Sequence, residues 1–177
     1  MYSQPLRGEP DPFFINTINR VCPTSFVMTG VGSSTMGSAI WTTANLALFF
    51  PFVLTGRHTY VRACVCNGTA VSGNFDIGVY SRTGTRLFST GAQAQAGISQ
   101  IQPITVSWTL DPGDYYMALV FNNIVATCSR TSPAAASLAT TGCKQMATAY
   151  VLPTTATLVD TTTSYVPVFG ISEKSWL

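Results

Sequence analysis

The chain has 177 residues, 46% of them hydrophobic and only 9% charged, which makes it one domain of ordinary size, able to bury about 70% of its unfolded surface in a single core. Disorder needs low hydrophobicity and high charge and is excluded on both counts. A net charge of +2, with Lys144 and Lys174 as the only lysines, excludes the clustered basic field that a phosphate backbone requires, so no nucleic-acid partner is expected.

Residues 1–24 hold four prolines, Pro5, Pro10, Pro12 and Pro23, and no periodicity. They read as an extended N-terminal arm lying outside the folded domain, with Phe13, Phe14 and Ile15 as apolar side chains that bind a neighbouring subunit or partner, the alternative being an arm folded back on its own domain. No basic stretch followed by an apolar one opens the chain, so no targeting segment is expected. The most apolar run, Leu46 to Leu54, contains Pro51 and is less than half the ~20 residues of a membrane-spanning helix, so no membrane partner is expected.

The domain then spans 25–177. Phe26 to Val31 is a short apolar piece closed by a Gly/Ser loop, and Trp41 to Leu54 reads as a strand with a buried centre that Pro51 pushes toward an edge or a bulge. His58 to Cys66 alternates, and Asn67-Gly68 predicts a hairpin turn of the primed type. Phe75, Ile77 and Val79 share one strand face, which leaves Asp76 on the solvent side. The polar stretch around Gly84 predicts a hairpin into a short strand, Arg86 to Ser89, followed by a loose Gly/Ala/Gln loop. In Ile104 to Leu110 apolar and small polar side chains alternate with period two, which places Trp108 in the core. Asp111-Pro112-Gly113-Asp114 predicts a chain reversal with positive φ at Gly113. Tyr115 to Phe121 is apolar on both faces, so it must be covered on both sides, as a central or an interface strand. Ser132 to Leu138 predicts a helix of about two turns. After a Thr-rich loop, 154–163, Tyr165 to Ile171 closes the domain as a last strand, and Trp176 follows as an exposed aromatic suited to a partner contact. Short strands separated by turns, with few helices, give an all-β fold: an antiparallel β-sandwich of jelly-roll type.

Chemistry is hard to find. The single imidazole, His58, sits in a strand beside Tyr60 and Arg62, and no GxSxG elbow exists. An enzyme would need His58 within hydrogen-bond reach of a Ser, a Cys or a carboxylate in a cleft. The seven carboxylates divide among the arm (Glu9, Asp11), strand (Asp76), turn (Asp111, Asp114), loop (Asp160) and tail (Glu173), with no pair placed for glycoside hydrolysis. Gly30-Val31-Gly32 lacks the third glycine and the helix of a phosphate loop. One histidine with five cysteines (22, 64, 66, 128, 143) does not make a zinc site. The thiols read as small buried hydrophobes, with a Cys128–Cys143 disulfide left open. Asn67-Gly68-Thr69 is a glycosylation sequon but reads more simply as a turn. No catalytic, cofactor-binding or metal residue is therefore assigned.

Asp76-Ile77-Gly78-Val79-Tyr80, Thr83-Gly84-Thr85-Arg86-Leu87, Ser89-Thr90-Gly91 and Leu110-Asp111-Pro112-Gly113-Asp114-Tyr115-Tyr116-Met117-Ala118 resemble a β-sandwich module of virion proteins of tailed bacteriophages. The closing Val166-Pro167-Val168-Phe169-Gly170-Ile171 is similar to the way such modules end. The resemblance implies a structural protein of the virion: a capsid decoration (cement) protein, a head fibre or a tail-fibre module, commonly a homotrimer, with major capsid or other virion proteins as partners. It implies, alternatively, a tail-fibre or spike module that recognises host glycans through exposed Tyr, Trp and Asn/Asp side chains.

Overall fold

The computed structural model describes residues 37–132 and 134–173. The arm at 1–24 with Phe13, Phe14 and Ile15, the apolar piece at 26–31, Cys22 and Trp176 all lie outside the described residues. The described chain is an all-β antiparallel sandwich. Its larger sheet runs β11 (Val159–Asp160), β10 (Lys144–Met146), β2 (Ala47–Leu54), β8 (Gly113–Phe121), β4 (Asn74–Ser81) and β5 (Arg86–Ser89), and β6 (Gln93–Ala94) also pairs with β4. Facing it, β13 (Phe169–Ser172), β3 (His58–Cys66) and β7 (Ile101–Leu110) form a second sheet. A third sheet holds β1 (Gly37–Ile40), β9 (Thr127–Thr131) and β12 (Val166–Pro167). Val168 joins the last two sheets: its N–H donates to Ser129 O and its carbonyl accepts from Cys66 N–H, at 2.8 and 2.9 Å.

The expected alternation in β7 holds, with Trp108 and Leu110 buried and Thr105, Ser107 and Thr109 exposed. β8 is the central strand, and both its faces are covered. Met117, Leu119 and Phe121 enter the core between the sheets beside Phe50, Ile77 and Trp41. Ala118 and Val120 face the other way and pack with Ala149, Leu152 and Ala156 of a strap, residues 147–158, that crosses the outside of the larger sheet. Burying a Leu or Ile side chain stabilises by about 1.5–3 kcal/mol, so the two-sided β8 is the main source of cohesion.

Three expectations are corrected. The turn expected at Asp111-Pro112 is a corner between sheets: β7 pairs with β3 and β8 with β2 and β4, so the chain passes here from one sheet to the other. Gly113 carries no left-handed φ and simply begins β8 opposite Leu54. Asn67-Gly68 is likewise no hairpin turn, since β3 does not pair with β4; Asn67 bridges to Cys128 and Gly68 lies against the Ser38 and Thr127 side chains. Small size at a close approach, and not φ, explains that glycine. Third, the Trp41–Leu54 strand starts only at Ala47; Trp41 sits in the preceding loop, 1% exposed, with its indole N–H on Leu46 O. Pro51 stands beyond the part of β2 that β10 covers, an edge position as expected. The hairpin at Gly84 is present, with φ +87° at that glycine. The helix, α1, covers Ala135–Thr140 and buries Leu138.

Candidate functional site

Two places concentrate polar groups without an obvious local reason. The first is Asp76. Far from facing solvent, it is fully buried, because the strap roofs the outer face of β4. Gly78 on the same face leaves room for Leu152, whose Cδ1 a Cβ at Gly78 would meet at 2.7 Å. The single Ser89 hydroxyl proton forks between the two Asp76 oxygens (2.8 and 2.9 Å), the Thr90 hydroxyl donates at 3.1 Å, and Leu152 N–H donates from the strap at 3.2 Å. The Tyr80 hydroxyl donates to Pro153 O at 2.7 Å and the Arg86 guanidinium to Leu152 O. Burial pushes the Asp76 carboxyl above the ordinary carboxylate value, against the opposing pull of these donors and of Arg86. Every arm of this cluster ends on the strap, on β5 or on Thr90 just after it, so its evident task is to hold the strap down.

Beside it a groove of about 660 Å³ is lined by Phe88, Ser89, Thr90, Trp108 and Thr154 among others. Phe88 and Trp108 are stacked, with ring centroids 5.6 Å apart and planes at 15°. Trp108, only 6% exposed, closes the core here as the sequence predicts and offers no open ring face.

The second place is one end of the sandwich. The connections 41–46, 67–73, 95–100, 122–126 and 147–149 all emerge there and contain no charged residue and no histidine. They are tied by neutral groups. Gln95 donates to Asn67 Oδ1 and Thr127 O (2.9 and 2.7 Å), Asn67 donates to Gly97 O and Gln102 Oε1 (both 3.1 Å), and Asn123 Oδ1 accepts from Val125 and Ala126 N–H (2.9 and 2.8 Å). Asn67, 1% exposed, is thus part of the frame and not a glycan acceptor. The opposite end carries the ion pairs Arg57–Asp111 (3.5 Å) and Arg82–Asp114 (3.0 Å), and His58 with Glu173.

That His58 meets a carboxylate satisfies one condition for an acid–base site, but not the others. Glu173 occupies Nδ1, while Nε2, the atom that would take a proton from a nucleophile, is buried and hydrogen-bonds nothing. Asp111 and Asp114 pair with arginines, and Asp160 with Lys144 at 2.5 Å. Arg62 donates to Thr105 Oγ1, and Arg130 lies 4.9 Å over the Tyr165 ring. Among the described residues no group of His, Cys, Asp and Glu gathers as a metal site requires, and no helix is long and apolar enough to cross a membrane. Cys64, Cys128 and Cys143 are buried and Cys66 is half-buried, and no disulfide joins these described cysteines, so the Cys128–Cys143 bridge does not form; Cys128 Sγ instead meets the Tyr165 hydroxyl at 3.1 Å. Burial pushes the Cys66 and Cys143 thiols up. Phe13, Phe14, Ile15 and Trp176, the sequence-assigned contacts, lie outside the described residues. The sequence reading missed both polar clusters. The neutral loops were visible as long stretches without charge, but nothing local marked Asp76. Comparison with protein families, curated proteins and solved structures returns no match to this chain.

Proposed function

We propose that the chain is a non-enzymatic structural protein of a tailed-phage virion. In this reading it is a capsid decoration (cement) protein that assembles as a homotrimer and docks on the major capsid or another virion protein through its N-terminal arm. The observation that carries the reading is the commitment of the polar groups. Asp76, Asn67 and Gln95 are spent on loops, and the described cations are spent on carboxylates, carbonyls, hydroxyls or a ring. Apart from these exposed ion pairs, what remains outside is a surface of hydroxyls and aliphatic side chains, suited to being covered rather than to catalysis. The nested pairing of β2 with β8 and β3 with β7 supports the jelly-roll path, and the motif residues 76–91 and 110–118 support the virion family. Several apolar arm side chains at about 1.5–3 kcal/mol each would offset the entropy of ordering the arm. Deleting Met1 to Pro23 is expected to abolish binding to particles that lack the protein; normal binding by the truncated chain contradicts the mechanism.

The groove lined by Phe88, Ser89, Thr90 and Thr154 favours a second reading, a tail-fibre or spike module for host glycans held by hydroxyl contacts, since Trp108 offers no open ring face. A glycan array with a saturable binder supports it, and an empty array together with normal incorporation into particles removes it.

A further inference from the structure

We infer that the charge-free end of the sandwich is the surface through which copies of this chain associate, each copy turning this end toward its neighbours. Of the nine large hydrophobic side chains exposed among the described residues, five stand at this end: Ile40 (57% exposed), Ile98 (57%), Ile101 (45%), Ile124 (51%) and Val125 (60%). The segments that carry them are joined by backbone hydrogen bonds: Ser99 N–H to Gly68 O, Gly68 N–H to Thr127 O and Trp41 N–H to Ala126 O, at 2.7–2.9 Å. They form one face and not scattered positions.

Charge and area decide the occupant. A protein surface of ordinary composition is about a quarter charged, and covering those charges with aliphatic side chains leaves them desolvated and unpaired, at a cost of several kcal/mol. Nucleic acid and acidic or basic peptides find no counter-charge here. Saccharides stack on open aromatic rings, but Trp41, Phe75 and Phe121 at this end are at most 1% exposed. The matching surface among the described residues is this end itself, where meeting copies face no like charge in any orientation. Half-exposed aliphatic side chains offer on the order of 100 Å² each, so the five supply roughly 500 Å² per copy. A standard interface buries about 800 Å² per partner, somewhat over half of it apolar, which is the same quantity. The neutral amide ties complete the fit: the loops are already held in place, so little ordering entropy is lost on association, and no ion pair beneath them is stripped of water.

The inference rests on the proposed function only in expecting many copies at one place, and the two are separable. The test is the solution mass of the full chain by light scattering at micromolar concentration, for the natural protein, for Ile98→Lys with Val125→Lys, and for Arg57→Glu at the charged end. Both lysine positions are more than half exposed, and a melting temperature within a few degrees of the natural one verifies the fold. Milder Ile98→Thr and Val125→Thr substitutions serve the same purpose and are expected to weaken association at least tenfold each, the effect of removing about 1.5 kcal/mol of apolar burial. The natural protein and Arg57→Glu are expected as multiples of one chain and the lysine variant as a single chain. A natural protein that is a single chain, or a lysine variant that keeps the full mass, overturns the inference. So does loss of mass on deleting Met1 to Pro23 with none from the lysines, which would make the arm the occupant. A lysine variant that is single yet still docks on particles leaves the proposed function standing.

Discussion

Asp76 shows what one buried carboxylate does to pH dependence. Its folded pKa lies above the unfolded value of 3.8, because burial outweighs the donors around it. The fold therefore favours the neutral form: this contribution is complete below the unfolded pKa and is lost as pH rises through the folded one. The stability of the natural protein relative to Asp76→Asn, read from urea midpoints, is thus expected to increase between about pH 7 and pH 4; a decrease would mean that the Ser89, Thr90 and Leu152 donors dominate. Gly84 supplies a second residue-scale test. It has φ +87°, and a Cβ there would lie 2.5 Å from Ala156 O of the strap. Gly84→Ala is expected to destabilise by about 1–3 kcal/mol, and an unchanged melting curve would contradict the contact. Asp76 is not legible from its neighbours, and of Gly84 the hairpin is legible but the contact with the strap is not. Asp76 alternates with Phe75 and Ile77 as a solvent-side residue does, and the strap that covers it lies some seventy residues downstream. A turn pattern such as Pro112-Gly113 or Asn67-Gly68 marks where the direction changes but not whether the next strand joins the same sheet.

At the scale of elements the sequence is more informative, because periodicity is a property of the strand itself. The alternation of Ile104 to Leu110 and the unbroken apolar run of Tyr115 to Phe121 are enough to identify a half-covered strand and a doubly covered one. They do not say that the second cover is a strap instead of a third sheet. Leu119 tests the central place of β8: it is fully buried, with Leu48 and Ile77 as its cross-strand partners. Leu119→Ala is expected to cost about 2–5 kcal/mol, measured as a fall in the urea midpoint; a loss under 1 kcal/mol would show that the core can collapse around the gap. The described cysteines make the matching statement about covalent ties. Cys64, Cys66, Cys128 and Cys143 close no loop, so adding a reductant is expected to leave the melting temperature unchanged, and a clear drop would reveal a bridge.

Over the whole molecule, charge is sorted by position. The Arg57–Asp111 and Arg82–Asp114 ion pairs sit at the end formed by the 55–57, 82–85 and 111–112 connections, Lys144–Asp160 lies on the β10–β11 edge of the larger sheet, and the other end holds its loops with amides and hydroxyls. Composition announces low charge but not where the few charges go, since the pairing of distant strands decides which loops share an end. A sandwich whose polar groups are largely spent on itself, and whose neutral end is apolar, suits the proposed place in an assembly. The most direct test is an electron cryomicroscopy map of phage particles assembled in cells that make the chain. The account predicts density fitting this sandwich at regular sites on the head, with neighbouring copies meeting through the 41–46, 95–100 and 122–126 loops. Particles whose map contains no such density, with the protein left free in the lysate, would contradict it.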